Sequence, residues 1–183
     1  MVENIAKHFK LITEHKILVF KLCTKAGIPY RGFMHDWSKY SPTEFIESVK
    51  YFTGTHSPIL ECREKNGYSE AWLHHKGRNK HHYEYWIDNN STERIPVIIP
   101  YEYSLEMCCD MLAAGMIYKK DSWTKEYPLS YWLERKDFLE MHPVNKKFLT
   151  VVFTLVSKYG IDILNKKVTK KIYLKCKKEF LNA

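Results

Sequence analysis

Nine histidines lie along the 183-residue chain, and four of them fall between Ala71 and Trp86 as the pairs His74-His75 and His81-His82. Imidazole is a common metal ligand and carries protons near neutral pH. Trp72, Tyr83, Tyr85 and Trp86 frame the pairs, and such rings offer a pocket an apolar body with a polar tip. Between the pairs, Arg78, Asn79 and Lys80 suit an anionic group such as a phosphate; as a solvated turn they would need no ligand. Upstream, His35 and Asp36 are adjacent. Such a dipeptide can set an imidazole nitrogen and a carboxylate oxygen on one divalent ion, and the carboxylate can bridge to a second. His15, Lys39 and Asp110 complete the candidates.

These residues need elements to hold them. Asn4 to Ala26 has helical periodicity, with His8, Leu11, His15, Leu18, Val19, Leu22 and Ala26 on one stripe. Gly27 and Pro29 end it. His15 therefore faces a core, a position that a packing histidine would also take. Ser41, Pro42 and Glu44 mark a second helix start, from Pro42 to Phe52, with Glu44 able to close a capping box. Gly54 to Gly67 reads as a connecting stretch with His56 on an exposed loop. If Tyr68 to Trp86 were one helix, Trp72, His75, Asn79, His82 and Trp86 would share a face. Gly77 within KGRNK argues equally for a break, and a break lets either member of each pair turn inward. Geometry favours His75 and His82; His74 and His81 stay candidates.

Asp88 to Ser91 reads as a turn. Pro100 opens a helix to Lys120 with Tyr103, Met107, Asp110, Ala114 and Ile117 on one stripe. A carboxylate inside an apolar face is costly without a partner, so Asp110 calls for a metal or for an arginine. Lys119 to Leu129 reads as a loop, followed by helices at Tyr131 to Met141 and Val144 to Lys158. The β-branched run Thr150 to Val152 would also suit a buried strand. A basic amphipathic helix, Lys166 to Leu181, closes the chain.

The hydrophobic fraction of 45% allows a packed core. The expected organisation is one domain over residues 1–160 and a basic extension over 161–183. The net charge of +8 is concentrated in that extension: Asn165 to Ala183 holds seven lysines and one glutamate, or +6, which leaves +2 for the rest. The whole chain is therefore not read as nucleic-acid binding; the lysine tail is the one place where nucleic acid would bind. Five cysteines without a CxxC pair suggest neither a disulfide framework nor a zinc-thiolate site. No apolar run reaches the length of a membrane span and no signal core opens the chain. The expectation is a cytoplasmic protein without a membrane partner.

Taken together, His15, His35-Asp36 and Asp110, at intervals of 20 and 74 residues, resemble the metal signature of the HD-domain phosphohydrolase superfamily. HDWSK is similar to its local HDxGK pattern, with Ser38 at the usual glycine. The longer pattern HDWSKYSPTEF, AWLHHKGRNKHHYEYW, EMCCDMLAAG and MHP also resembles a family of uncharacterised bacterial and phage proteins of unknown function. The HD resemblance implies an all-α, HD-domain-like helical bundle. It implies one or two divalent ions, with Fe, Mn, Mg and Zn not distinguished. His15, His35, Asp36 and Asp110 would be ligands, with His74, His75 and His82 available for a second ion. Lys39, Arg78 and Asn79 would hold phosphate oxygens, and His81 would protonate a leaving group. The expected activity is hydrolysis of a nucleotide or other small phosphoester. The alternatives are an HD-type di-iron oxygenase and a non-catalytic, metal-stabilised module that binds nucleic acid.

Overall fold

The computed structural model describes residues 2–90 and 92–182. Among them the chain is all-α, with nine α-helices and one small hairpin. Helix α1 (Val2–Lys25) buries His8, Ile12, His15, Val19, Leu22 and Cys23, the stripe that the 3.6-residue period demands. After Gly27, whose φ of 78° turns the chain, the short α2 (Pro29–Met34) doubles back against α1. Gly32 makes this approach possible: a Cβ there would lie 2.7 Å from the Cβ of Cys23 and 2.9 Å from the Cα of Phe20.

Helix α3 (Pro42–Lys50) starts as expected, with the Ser41 hydroxyl accepting from the Glu44 backbone N–H. Gly54 to Gly67 is not merely a connection: it holds α4 (Pro58–Asn66), with Pro58 in the first turn and Gly67 in the left-handed conformation just past the end. The sequence ILECREKN carries little amphipathic signal, so periodicity misses this helix while its end signals remain. His56 is half-buried and pairs with Glu61 at 3.0 Å rather than standing exposed. Helix α5 (Glu70–Arg78) ends before the second histidine pair. Asn79 is extended there and its amide donates back to the carbonyl of His75 at 2.9 Å.

The strands β1 (Ile87–Asn89) and β2 (Arg94–Pro96) form an antiparallel hairpin where only a turn was expected. Helix α6 (Tyr101–Lys119) is central and packs against α1, α2, α7, α8 and α9. The helix expected from Tyr131 is instead α7 (Tyr127–Leu133), four residues earlier, because Pro128 suits a first turn. Helix α8 (Pro143–Tyr159) includes the β-branched run, which therefore is not a strand. The basic helix α9 (Lys166–Leu181) packs on α8 and buries Thr169, Tyr173 and Cys176. One continuous apolar core joins Val19 and Leu22, Leu105 and Leu112, Phe148 and Phe153, and Tyr173. All five cysteines are buried and free. No helix among the described residues is long and apolar enough to cross a membrane.

Candidate metal centre

Twelve polar or charged residues are buried among those described, and seven of them, His15, His35, Asp36, Glu44, His75, His81 and Glu106, gather at one place. Burial of charge on this scale needs partners, and the cluster is built so that each group supplies one. Asp36 lies at its centre. Its backbone is left-handed, φ 54° and ψ 29°, a conformation that costs a non-glycine residue energy and is tolerated best by Asp and Asn. The turn aims the carboxylate inward, with Oδ2 toward His35 Nε2 at 3.2 Å. Oδ1 faces His75 Nε2 at 3.3 Å and His81 Nε2 at 3.4 Å.

Two donor groups share this carboxylate. The first is His15 from α1, His35 and Asp36 from the turn after α2, and Asp110 from α6. His15 Nε2 is 2.9 Å from Asp110 Oδ1 and 3.4 Å from His35 Nε2. The second is Asp36, His75 from α5, and His81 and His82 from the segment after it. His75 and His82 approach at 2.9 Å through their Nε2 atoms.

The outer ring nitrogens explain this orientation. His35 Nδ1 and His81 Nδ1 both lie on Oε1 of Glu106, at 3.1 and 3.2 Å. The other oxygen, Oε2, is held by Arg31 through Nε and Nη2, each at 2.7 Å. His75 Nδ1 donates to Oε2 of Glu44 at 2.7 Å. A neutral imidazole has one N–H. With that proton spent on an outer carboxylate, the Nε2 lone pairs of His35, His75 and His81 converge on the oxygens of Asp36. Apart from the Lys39 ammonium, 2.6 Å from Oδ2, no donor satisfies the Asp36 oxygens, and His81 Nε2 has no hydrogen-bond partner. Lone pairs facing lone pairs repel unless a proton or a cation lies between them. The donor set therefore fits a divalent metal, and outer carboxylates that orient ligand imidazoles are a regular part of such sites.

The electrostatics keep the carboxylates ionised and His82 neutral, while His35 holds a proton that a metal would displace. Burial raises the Asp36 carboxyl, but His35, Lys39 and His75 outweigh it and hold it well below the ordinary range. Asp110 is depressed likewise, with His15 and His35 overcoming burial. Glu106 falls to about 2, because its two histidines outweigh burial. Burial, together with His81 and His75, keeps His82 well below the usual histidine value and so neutral. His35 moves the other way: burial opposes its charge, but Asp36, Asp110 and Glu106 prevail.

Of the other expected site residues, Lys39 is present, with Nζ 2.6 Å from Asp36 Oδ2. Asn79 bonds Ser38 Oγ at 2.7 Å and so braces His75 from behind. His81 stands among the inward donors, with its other nitrogen on Glu106, rather than as a free acid. His74 turns away to Glu44 Oε1 at 2.6 Å and belongs to neither donor group. Arg78 is exposed at the end of α5 and does not reach the cluster. Three residues were not read from the sequence. Glu44 looked like half of a capping box, Arg31 carried no signal, and Glu106 lies one turn before Asp110 on the same face of α6. That i, i+4 pair of acids in an apolar helix was the signal available.

Beside the donors lies a cleft of about 410 Å³, into which His15, His75, His82, Asp110 and Lys39 open. A larger surface groove of about 830 Å³, lined by Pro42, Glu47, Lys50, Tyr51 and Tyr68, holds none of the donors.

The family model of DUF5662, a family of unknown function, matches residues 4–155, the span that carries every donor. The chain belongs to this family. No curated protein and no solved structure matches. Membership in DUF5662 carries no activity, so the HD-domain resemblance rests on the residues themselves.

Proposed function

We propose that the protein is a metal-dependent phosphohydrolase acting on a small phosphoester, in which His15, His35, Asp36 and Asp110 would hold one divalent ion and His75, His81 and His82 would be available for a second. The observation that carries this reading is the gathering of five imidazoles and the carboxylate of Asp110 around Asp36, with His15, His75, His82 and Asp110 open to the cleft where Lys39 also lies. When bound, such ions lower the pKa of a water so that hydroxide is available near neutral pH, and they offset charge on phosphoryl oxygens. The chain's own groups do the rest. Lys39 stays charged, because Asp36 and Asp110 outweigh its burial, and it can hold a phosphate oxygen. Glu106 and Glu44 keep the imidazoles in one tautomer and one orientation. In the reaction a bond forms between the water oxygen and phosphorus, the bond from phosphorus to the ester oxygen breaks, and a proton passes to that leaving oxygen.

The test is metal analysis of the purified chain beside a phosphate-release assay on a panel of phosphoesters. One or two equivalents of metal, lost in His35→Ala and Asp110→Ala, with release abolished in Asp36→Ala, is the expected result. Wild-type protein without metal, or substitutions that leave metal content unchanged, would overturn it.

A second reading keeps the ions and changes the reaction. Imidazole suits iron and zinc, whereas carboxylate-rich sites suit magnesium and manganese. Five imidazoles against two carboxylates therefore favour iron or zinc over magnesium and manganese, and iron would allow a di-iron oxygenase. Bound iron, oxygen uptake and no phosphate release from any ester would select that reading over hydrolysis.

A further inference from the structure

The cleft beside the donors has a length and a lining that restrict what can enter. On α1 it runs from His15 back to His8, and on α6 from Asp110 on to Tyr118. The stretches are seven and eight residues, or roughly 10–12 Å at the rise of an α-helix. Between these ends α1 contributes Leu11 and Ile12, and α6 contributes Met111 and Ala114. Ile59 of α4 and Trp72 of α5 close one side. Trp72 is fixed against the metal end, edge-on to His82 at 4.9 Å. The rings of Tyr127 and Tyr131 come from α7.

Two features of this lining discriminate between phosphoesters. Lys39 is the one lysine or arginine in it among the described residues. Beyond the one phosphate held at the donors, a polyphosphate or a dinucleotide would leave its further charges unpaired. The second feature is a mainly apolar lining. Away from the donors, its hydroxyls are those of Ser48 and Ser57 and of Tyr118, Tyr127 and Tyr131, the last three at the tips of aromatic rings. His8, at the far end, packs against the rings of Phe45 and Phe52 at 5.3 and 5.5 Å between centroids, and its Nδ1 is buried without a partner. A nucleobase placed there would meet His8 Nδ1 as one partner for the several hydrogen bonds it gives up to water, whereas an alkyl or aryl group gains by leaving water.

We infer that the cleft takes a phosphomonoester with an apolar alkyl or aryl body about 10 Å long, its phosphate at Lys39 and the donors, and not a nucleotide. The inference rests on the phosphohydrolase reading for the phosphate and on the cleft lining for the body.

Two measurements on the full-length, metal-loaded protein separate these supports. Binding of methyl-, butyl- and hexylphosphonate, which cannot be hydrolysed at phosphorus, is followed by calorimetry. Phosphate release is followed from the matching alkyl phosphates and from a nucleoside monophosphate. Affinity should rise about fourfold per methylene, the equivalent of about 0.8 kcal/mol for each buried CH₂, and kcat/KM should rise in parallel. Ala114→Phe, which narrows the cleft, should lower hexylphosphonate affinity at least tenfold, with metal content showing that the fold survives. A flat series, or a nucleoside monophosphate hydrolysed faster than hexyl phosphate, would overturn the inference while leaving the hydrolase standing. The binding trend without phosphate release from any ester would support the apolar body and overturn the hydrolase.

Discussion

A single oxygen, Oε1 of Glu106, takes the Nδ1 protons of His35 and His81, one from each donor group. Any change at Glu106 therefore acts on both groups together. Glu106→Gln keeps the shape, but it removes the charge and turns an amide N–H₂ either toward Arg31 or toward the imidazoles. Metal affinity should fall by about 10- to 100-fold, measured by competition with a chelator. An affinity equal to wild type would show that the contact does not orient the ligands. His8 offers a separate test at the residue scale. Burial lowers its pKa to about 4, against an ordinary value of about 6.5. The unfolded chain thus binds this proton first as pH falls. The stability tied to neutral His8 is complete above about pH 6.5 and is lost between there and about pH 4. His8→Phe should remove this loss. Urea unfolding at pH 7 and pH 5 should show a smaller drop for the variant, by about 1–2 kcal/mol. Equal drops in both proteins would dismiss the assignment.

At the scale of the element, the site depends on how closely α2 lies on α1. The contact at Gly32 leaves no room for a methyl group, and His35 follows three residues later. Gly32→Ala should cost about 1–3 kcal/mol through overpacking and should also weaken metal binding, because α2 carries His35 away from His15 as it moves. Thermal unfolding and metal content, read together, check both parts. A loss of stability with full metal content would show that the loop after α2 absorbs the shift. The end of α5 is a second decisive element. Had the helix run on through Trp86, His81 and His82 would have lain on different faces. The break at Asn79 lets both rings turn inward, their centroids 4.2 Å apart.

At the scale of the molecule, the centre sits where α1, the turn after α2, α5 and α6 meet, while α8 and α9 close the apolar core away from it. Helix α9 is docked rather than merely attached: the Tyr173 hydroxyl donates to the carbonyl of Ile99 at 2.7 Å, and Lys147 pairs with Glu179 at 2.7 Å. Tyr173→Ala should cost about 3 kcal/mol or more by opening a cavity in the core, seen as a lower urea midpoint with the metal ligands untouched. An unchanged midpoint would contradict the docking. For the same reason, nucleic-acid binding by the lysine face is better tested by Lys→Gln changes at Lys170, Lys171, Lys177 and Lys178 than by deleting the helix. Binding through these lysines would weaken steeply with salt and fade in the substituted protein.

The helical registers were legible in the sequence because the 3.6-residue period is local. His15 belongs to the buried stripe of α1 for reasons contained within α1, whereas α6 is buried on several sides and Asp110 lies with Ala114 and Ile117 on its half-buried stripe facing the cleft. The His-Asp dipeptide was legible because the two residues are adjacent. The choice among the histidine pairs was not, since it depends on where α5 stops and on what waits outside each ring. His75 turns inward because Glu44, 31 residues away in sequence, takes its Nδ1; His74 turns outward to the other oxygen of the same carboxylate. Glu106 and Arg31 are 75 residues apart, and neither side chain has a purpose until α2 and α6 pack. Sequence alone indicated most of the helices, though not α4 or the bounds of α7, and most of the residues of the cluster. Only the tertiary structure decided their orientation and the shape of the cleft, because both arise from contacts between distant elements that no local pattern encodes.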